Sequence, residues 1–139
     1  MAVVNGTNYD KYAGTDKSDT TPIGRGKWEA QVLVQTDVYE ASSLASGSTI
    51  NVARLPAGAV VLDAAVYFDA LGTSTTVSLG TSADTDKYIA AASSASAGVL
   101  RMNQVDGVQD ALTADTDIVV AIGGASATGT IKTVVVYSL

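Results

Sequence analysis

From Lys27 onward, apolar side chains recur at every second position in short runs, and glycine, serine or alanine cuts off each run. Trp28, Ala30, Val32 and Val34 alternate with Glu29, Gln31, Leu33 and Gln35. That period places one set of side chains on a single face of an extended strand. Ile50 and Val52 mark a short strand that stops at Leu55-Pro56-Ala57-Gly58, where proline and glycine favour a turn. Residues 59–68 form a longer run that is apolar on nearly both faces, and residues 73–79 alternate between Gly72 and Gly80. Shorter strands are expected at 87–91 and 99–102. Residues 118–122 and 130–137 flank the small-residue stretch 123–129 and read as a closing hairpin.

Composition points the same way. Valine supplies 18 residues and threonine 16, and such β-branched side chains fit a pleated sheet better than a helix. No stretch of ten or more residues carries a helical period, although 90–97 and 103–112 have room for a short helical turn. A chain of 139 residues suits one domain. The expected fold is therefore all-β: an antiparallel β-sandwich or jelly roll of about eight strands over residues 27–139, preceded by an extended N-terminal arm. Its core is expected to contain Trp28, Val32, Val34, Ile50, Val52, Leu62, Val66, Phe68, Val77, Leu79, Val119, Ile131 and Val135.

The arm, residues 1–26, differs in kind. Turn signals such as Asn5-Gly6-Thr7-Asn8 and Gly14-Thr15-Asp16 have no apolar period between them. Charges of both signs interleave, and Tyr9, Tyr12 and Ile23 are its few apolar anchors. Too few apolar groups are present to fold it alone, so it is either a loose terminus or an arm that gains order on a neighbouring subunit. Trp28, at the junction, reads as a core or interface anchor, or as a platform for carbohydrate stacking.

Charge and residue usage exclude several functions. Fourteen acidic residues against eight basic ones give a net charge of -6, and the basic residues are scattered singly. Phosphate backbones need clustered Lys and Arg, so no nucleic-acid partner is expected. No apolar run approaches the ~20 residues that span a bilayer, so no membrane partner is expected either. The first residues lack the basic and apolar regions of a signal peptide, which predicts synthesis in a cytoplasm. Cysteine and histidine are both absent. That removes thiolate nucleophiles, Cys-type zinc sites and every Ser-His or Cys-His triad.

Carboxylates are the remaining candidates for chemistry. Asp84 and Asp86 lie in Ala-Asp-Thr-Asp, which recurs with Asp115 and Asp117. These pairs either offer oxygen ligands to calcium or cap turns that enter strands; the spacing, central glycine and terminal Glu of an EF-hand are missing. Asp63 and Asp69 share one face of an extended strand about 20 Å apart, too far for the ~5–9.5 Å of a glycosidase pair. No enzyme activity and no cofactor are expected.

The chain from Trp28 to Leu139 resembles the small virion structural proteins of tailed bacteriophages. Three stretches carry the resemblance: Leu55-Pro56-Ala57-Gly58-Ala59-Val60-Val61, then Phe68-Asp69-Ala70-Leu71-Gly72-Thr73-Ser74-Thr75-Thr76-Val77-Ser78-Leu79-Gly80, then Ala127-Thr128-Gly129-Thr130-Ile131-Lys132 through Tyr137. The resemblance implies a capsid decoration (cement) protein on the virion exterior, or a head-fibre module of the receptor- or glycan-binding kind. It implies a homo-oligomer, with three copies favoured, and the major capsid protein or another virion protein as partner. Residues 59–68 and 133–136, apolar on both sides, agree with burial against another subunit.

Overall fold

The alternating runs become eight strands among the described residues: β1 (Val32–Leu44), β2 (Thr49–Leu55), β3 (Val60–Phe68), β4 (Thr76–Thr81), β5 (Ile89–Ser93), β6 (Gly98–Arg101), β7 (Thr116–Gly123) and β8 (Ala127–Ser138). The structure is a computed structural model that describes residues 31–139. The expected arm, with Tyr9, Tyr12 and Ile23, and the junction residue Trp28 lie outside the described residues. A short 3-10 turn at Val105–Gly107 falls within the stretch 103–112 that had room for one. Residues 90–97 instead form most of β5 and the turn after it.

The strands make two four-stranded antiparallel sheets, ordered β1-β8-β3-β6 and β2-β7-β4-β5. Every connection except β4–β5 carries the chain from one sheet to the other. Eight strands in this order form two Greek keys wound around each other, which is the jelly roll. The expected closing hairpin is not formed. β7 pairs with β2 and β4, whereas β8 pairs with β1 and β3 in the opposite sheet. Small residues between two apolar runs suit a sheet-to-sheet crossing as well as a hairpin, so local composition does not distinguish them.

The core lies between the sheets. Val61, Val66, Phe68, Ile131 and Val135 project from one sheet, and Ile50, Leu55, Val77, Leu79, Ile89, Ile118, Val120 and Ile122 from the other. Most of the expected core residues belong to this core, but among the described ones Val32, Val34, Leu62 and Val119 do not. Val32 and Val34 are 55% and 56% exposed, and Leu62 is 37% exposed. In β1 the opposite parity faces inward: Leu33 packs against the core. Gln35 also turns inward, donating its amide to the Arg54 carbonyl at 3.0 Å and accepting from the Arg54 N–H at 3.2 Å. These two bonds satisfy backbone groups of β2 and tie the edge strands of the two sheets together. Leu62 sits in a β-bulge, where the register with β8 slips between Val61 and Asp63. The extra residue breaks the alternation and leaves Leu62 outside.

Val119 is buried as expected, but outside the core cluster. It pairs with Gly80 in β4, and the β4–β5 loop folds back over this position. Thr81 and Asp84 exchange backbone hydrogen bonds, and the Ser78 hydroxyl donates to the Thr85 carbonyl at 2.9 Å. The approach is so close that a Cβ on Gly80 would lie 2.1 Å from the Asp84 carbonyl oxygen. Gly80→Ala is therefore expected to destabilise the domain by about 1–3 kcal/mol, the usual cost of overpacking. A denaturant or thermal melt checks this, and an unchanged midpoint would contradict the loop's position.

Candidate functional site

Side-chain parity on the β1-β8-β3-β6 sheet sets what its outer face presents. Cross-strand rows run Val34–Val136–Asp63, then Thr36–Val134–Ala65–Arg101, then Val38–Lys132–Tyr67–Val99. Val32 precedes the first row, and Glu40 with Thr130 closes the last. Val34 and Val38 are more than half exposed, and Tyr67 and Val99 are 43% and 46% exposed. A sheet face that meets only water usually alternates to polar residues. This one remains largely β-branched and aromatic.

Its charges are few and mostly engaged. Arg101 donates to the Asp63 carboxylate on the same face. Glu40 accepts from the Thr130 hydroxyl at 2.6 Å. Lys132, between Val38 and Tyr67, forms no ion pair among the described residues. It borders, with Tyr67, Phe68, Asp69, Gly98 and Thr130, a shallow depression of about 390 Å³. The outer face of the other sheet differs: Thr49, Ala121, Ser78, Thr76 and Gly123 make it small and polar.

Four of the expected carboxylate candidates, Asp63, Asp69, Asp115 and Asp117, hold structural contacts through their side chains, and Asp84 does so through its backbone. Asp63 pairs with Arg101, and Asp69 accepts from the Thr130 N–H at 3.2 Å. Asp84 makes the close turn over Gly80. Asp115 accepts from the Ala57 N–H at 3.1 Å, so it caps the β2–β3 turn rather than its own strand. Asp117 pairs with Arg54 at 3.0 Å. Among the described residues no group of three or more acidic side chains is placed to hold a metal ion.

Topology gathers charge at one end of the jelly roll. The β2–β3, β4–β5 and β6–β7 connections meet there, bringing Asp84, Asp86, Asp106, Asp110 and Asp115 together with Lys87. A polar cleft of about 460 Å³ opens among them, lined by Arg54, Lys87, Asp110, Asp115 and Asp117. Lys87 and Asp110 bridge it at 2.6 Å. The opposite end, built by residues 45–48, 69–75, 94–97 and 124–126, carries Asp69 as its one charged residue.

Tyr88, next to Lys87, is sealed from solvent, and its hydroxyl has no hydrogen-bond partner among the described residues. Gly107 of the 3-10 turn lies against its ring. Burial, then the nearby Asp110 and Asp84 carboxylates, push its phenol from 10.0 up to about 12. Tyr88 falls within the strand expected at 87–91, but nothing local marks it as buried, because its neighbours Lys87 and Ile89 set no clear alternation.

No protein-family model matches the chain, and no curated protein matches it. Solved structures do. A chain of the cyanophage Pam1 capsid asymmetric unit is similar at a TM-score of 0.64 and 21% identity, over 100% of this chain and 99% of that one. A chain of the Ralstonia phage GP4 capsid is similar at 0.64 and 20% identity, over 86% and 90%. A chain of the acidic stable capsid of Helicobacter pylori bacteriophage KHP30 follows at 0.59 and 17%, over 78% and 87%. The likeness is one of fold.

The raised Tyr88 phenol has a consequence at alkaline pH. Below pH 10.0 folded and unfolded chains both keep the proton; between there and about 12 the unfolded chain ionises first, so stability falls through that window. Melts at increasing alkaline pH, with phenolate absorbance, are expected to show one tyrosine ionising last and together with unfolding. Tyr88→Phe is expected to remove that late step while keeping or raising stability near neutrality, since it deletes an unpaired buried hydroxyl.

Proposed function

We propose that this chain is a non-enzymatic structural protein of a tailed-phage virion. In this reading it is a decoration or cement protein that binds the exterior of the shell and stabilises it. It is made in the host cytoplasm and works as a homo-oligomer, with three copies favoured by the resemblance. Its partners are the major capsid protein or other virion proteins, and it needs no cofactor. The observation that carries this reading is the full-length likeness of fold to a chain of the Pam1 capsid asymmetric unit. The outward apolar face agrees with it, because a protein that acts in an assembly has somewhere to bury such a surface.

The alternative is a receptor- or glycan-binding knob, and the placement of the aromatic side chains among the described residues favours decoration over it. Glycan sites present aromatic rings at loop tips. Here Tyr88 and Tyr137 are buried, Phe68 is buried, and Tyr39 and Tyr67 stand on strands.

Attachment is assigned to the arm. Residues 1–26 hold anchors at Tyr9, Tyr12 and Ile23, with Trp28 at the junction. An arm fastened on a neighbouring subunit would add affinity through effective concentration. Deleting residues 2–24 is expected to leave the β domain folded by circular dichroism. The same deletion is expected to lower occupancy on particles by about tenfold or more in competition with intact protein. Equal occupancy of the two forms would remove the arm from the attachment.

A further inference from the structure

We propose that the outer face of the β1-β8-β3-β6 sheet is the contact between copies of this chain, so that sheet packs on sheet. The proposal rests on the oligomeric part of the function above and names the surface that the oligomer uses.

Three observations select this face and this occupant. The first is a cluster of exposed apolar side chains on one sheet face. Val32, Val34 and Val38 on β1 are each more than half exposed, and Tyr67 and Val99 continue the third row across β3 and β6. The outer face of the other sheet has no comparable set. Three strands over seven residues and β6 over its four, at ~4.8 Å and ~3.3 Å spacing, project about 400 Å². Two such faces, with protruding side chains adding area, reach the ~1,000 Å² where specific interfaces begin.

The second observation is charge. Residues 31–139 hold ten acidic and four basic side chains, a balance of -6. Two such domains repel unless they meet away from their carboxylates. On this face Asp63 is neutralised by Arg101, and among the described residues one charge of each sign, Lys132 and Glu40, is left without an ion pair. A face that is neutral overall on an acidic domain is where two copies meet with least repulsion, with Lys132 and Glu40 giving each face one charge of either sign to offer the other.

The third observation removes the competing geometry. β1 is a long edge strand, and open edges invite pairing strand to strand. The Asp37 carboxylate, however, accepts from the Val38 N–H at 2.8 Å, covering a donor and placing a charge in the path of an added strand. Gln35 is committed across to β2. Contact through the face is left, rather than extension of the sheet.

Analytical ultracentrifugation at micromolar concentration tests this on the full-length chain. The native protein is expected to sediment as an oligomer. Val34→Asp/Val38→Asp is expected to sediment near the 14.0 kDa of one chain, with an unchanged circular dichroism spectrum. Thr49→Asp, on the outer face of the other sheet, is expected to stay oligomeric. Val34→Thr/Val38→Thr keeps the β-branched shape and is expected to weaken association about tenfold or more. That pair decides the matter if the aspartates prevent folding. Lys132→Glu is expected to weaken association as well. Variants that remain oligomeric would overturn the face while leaving the oligomer standing. Native protein at the mass of one chain would overturn both. Particle binding, measured separately, stays as the test of the virion reading whichever way the oligomer falls.

Discussion

Leu55, Val61, Leu79, Ile118 and Ile131, sealed from solvent between the two sheets, decide which side of every strand faces inward. Parity then distributes the remaining side chains without further choice, since neighbours along a strand point to opposite faces. Once Leu33 and Gln35 turn inward, Val32, Val34 and Val38 must stand outside. Once Leu79 turns inward, Gly80 faces outward, and its missing side chain lets the β4–β5 loop lie directly on the sheet. The bulge at Leu62 changes parity within β3. It allows Val61 and Ala64 both to reach the core and brings Asp63 out beside Arg101.

The architecture was legible because it depends on periods and punctuation. Short β-branched runs cut by glycine and serine specify strands, and the strand at residues 59–68 differs by one residue from β3. What the sequence could not convey was which parity wins when both sides of a run are apolar. In β1, Trp28, Ala30, Val32 and Val34 outweigh Leu33 in apolar count, so the buried side was assigned to the valines. The structure buries Leu33 and uses Gln35 to cap β2, an interaction between residues 19 apart that no local pattern contains. The missed hairpin has the same origin. Pairing of β8 with β1 and β3 is set by contacts across nearly the whole chain, whereas the residues between β7 and β8 are simply small.

The candidate site was legible in one respect. Residues 59–68 and 133–136 carry more apolar surface than one core needs, and Val134, Val136, Leu62 and Tyr67 do face away from it. The arm anchors Tyr9, Tyr12 and Ile23 and the junction residue Trp28 stay outside the described residues. The two ends of the domain differ in charge because the β4–β5 and β6–β7 connections carry five aspartates at one end, whereas the four connections at the other end carry Asp69 alone. Turn-forming aspartates at one end and serine, alanine and glycine at the other are two chemical solutions to the same need for tight connections.

A jelly roll by itself hosts many functions, so the functional account rests on where the protein resides. Electron cryo-microscopy of the particle that contains this chain tests that most directly. The account predicts eight-stranded sandwich density on the outer surface of the shell, with copies touching through the Val34–Val38 face and the N-terminal arms running onto neighbouring subunits. A shell whose exterior lacks this density, with the chain found elsewhere or absent from the particle, would contradict it.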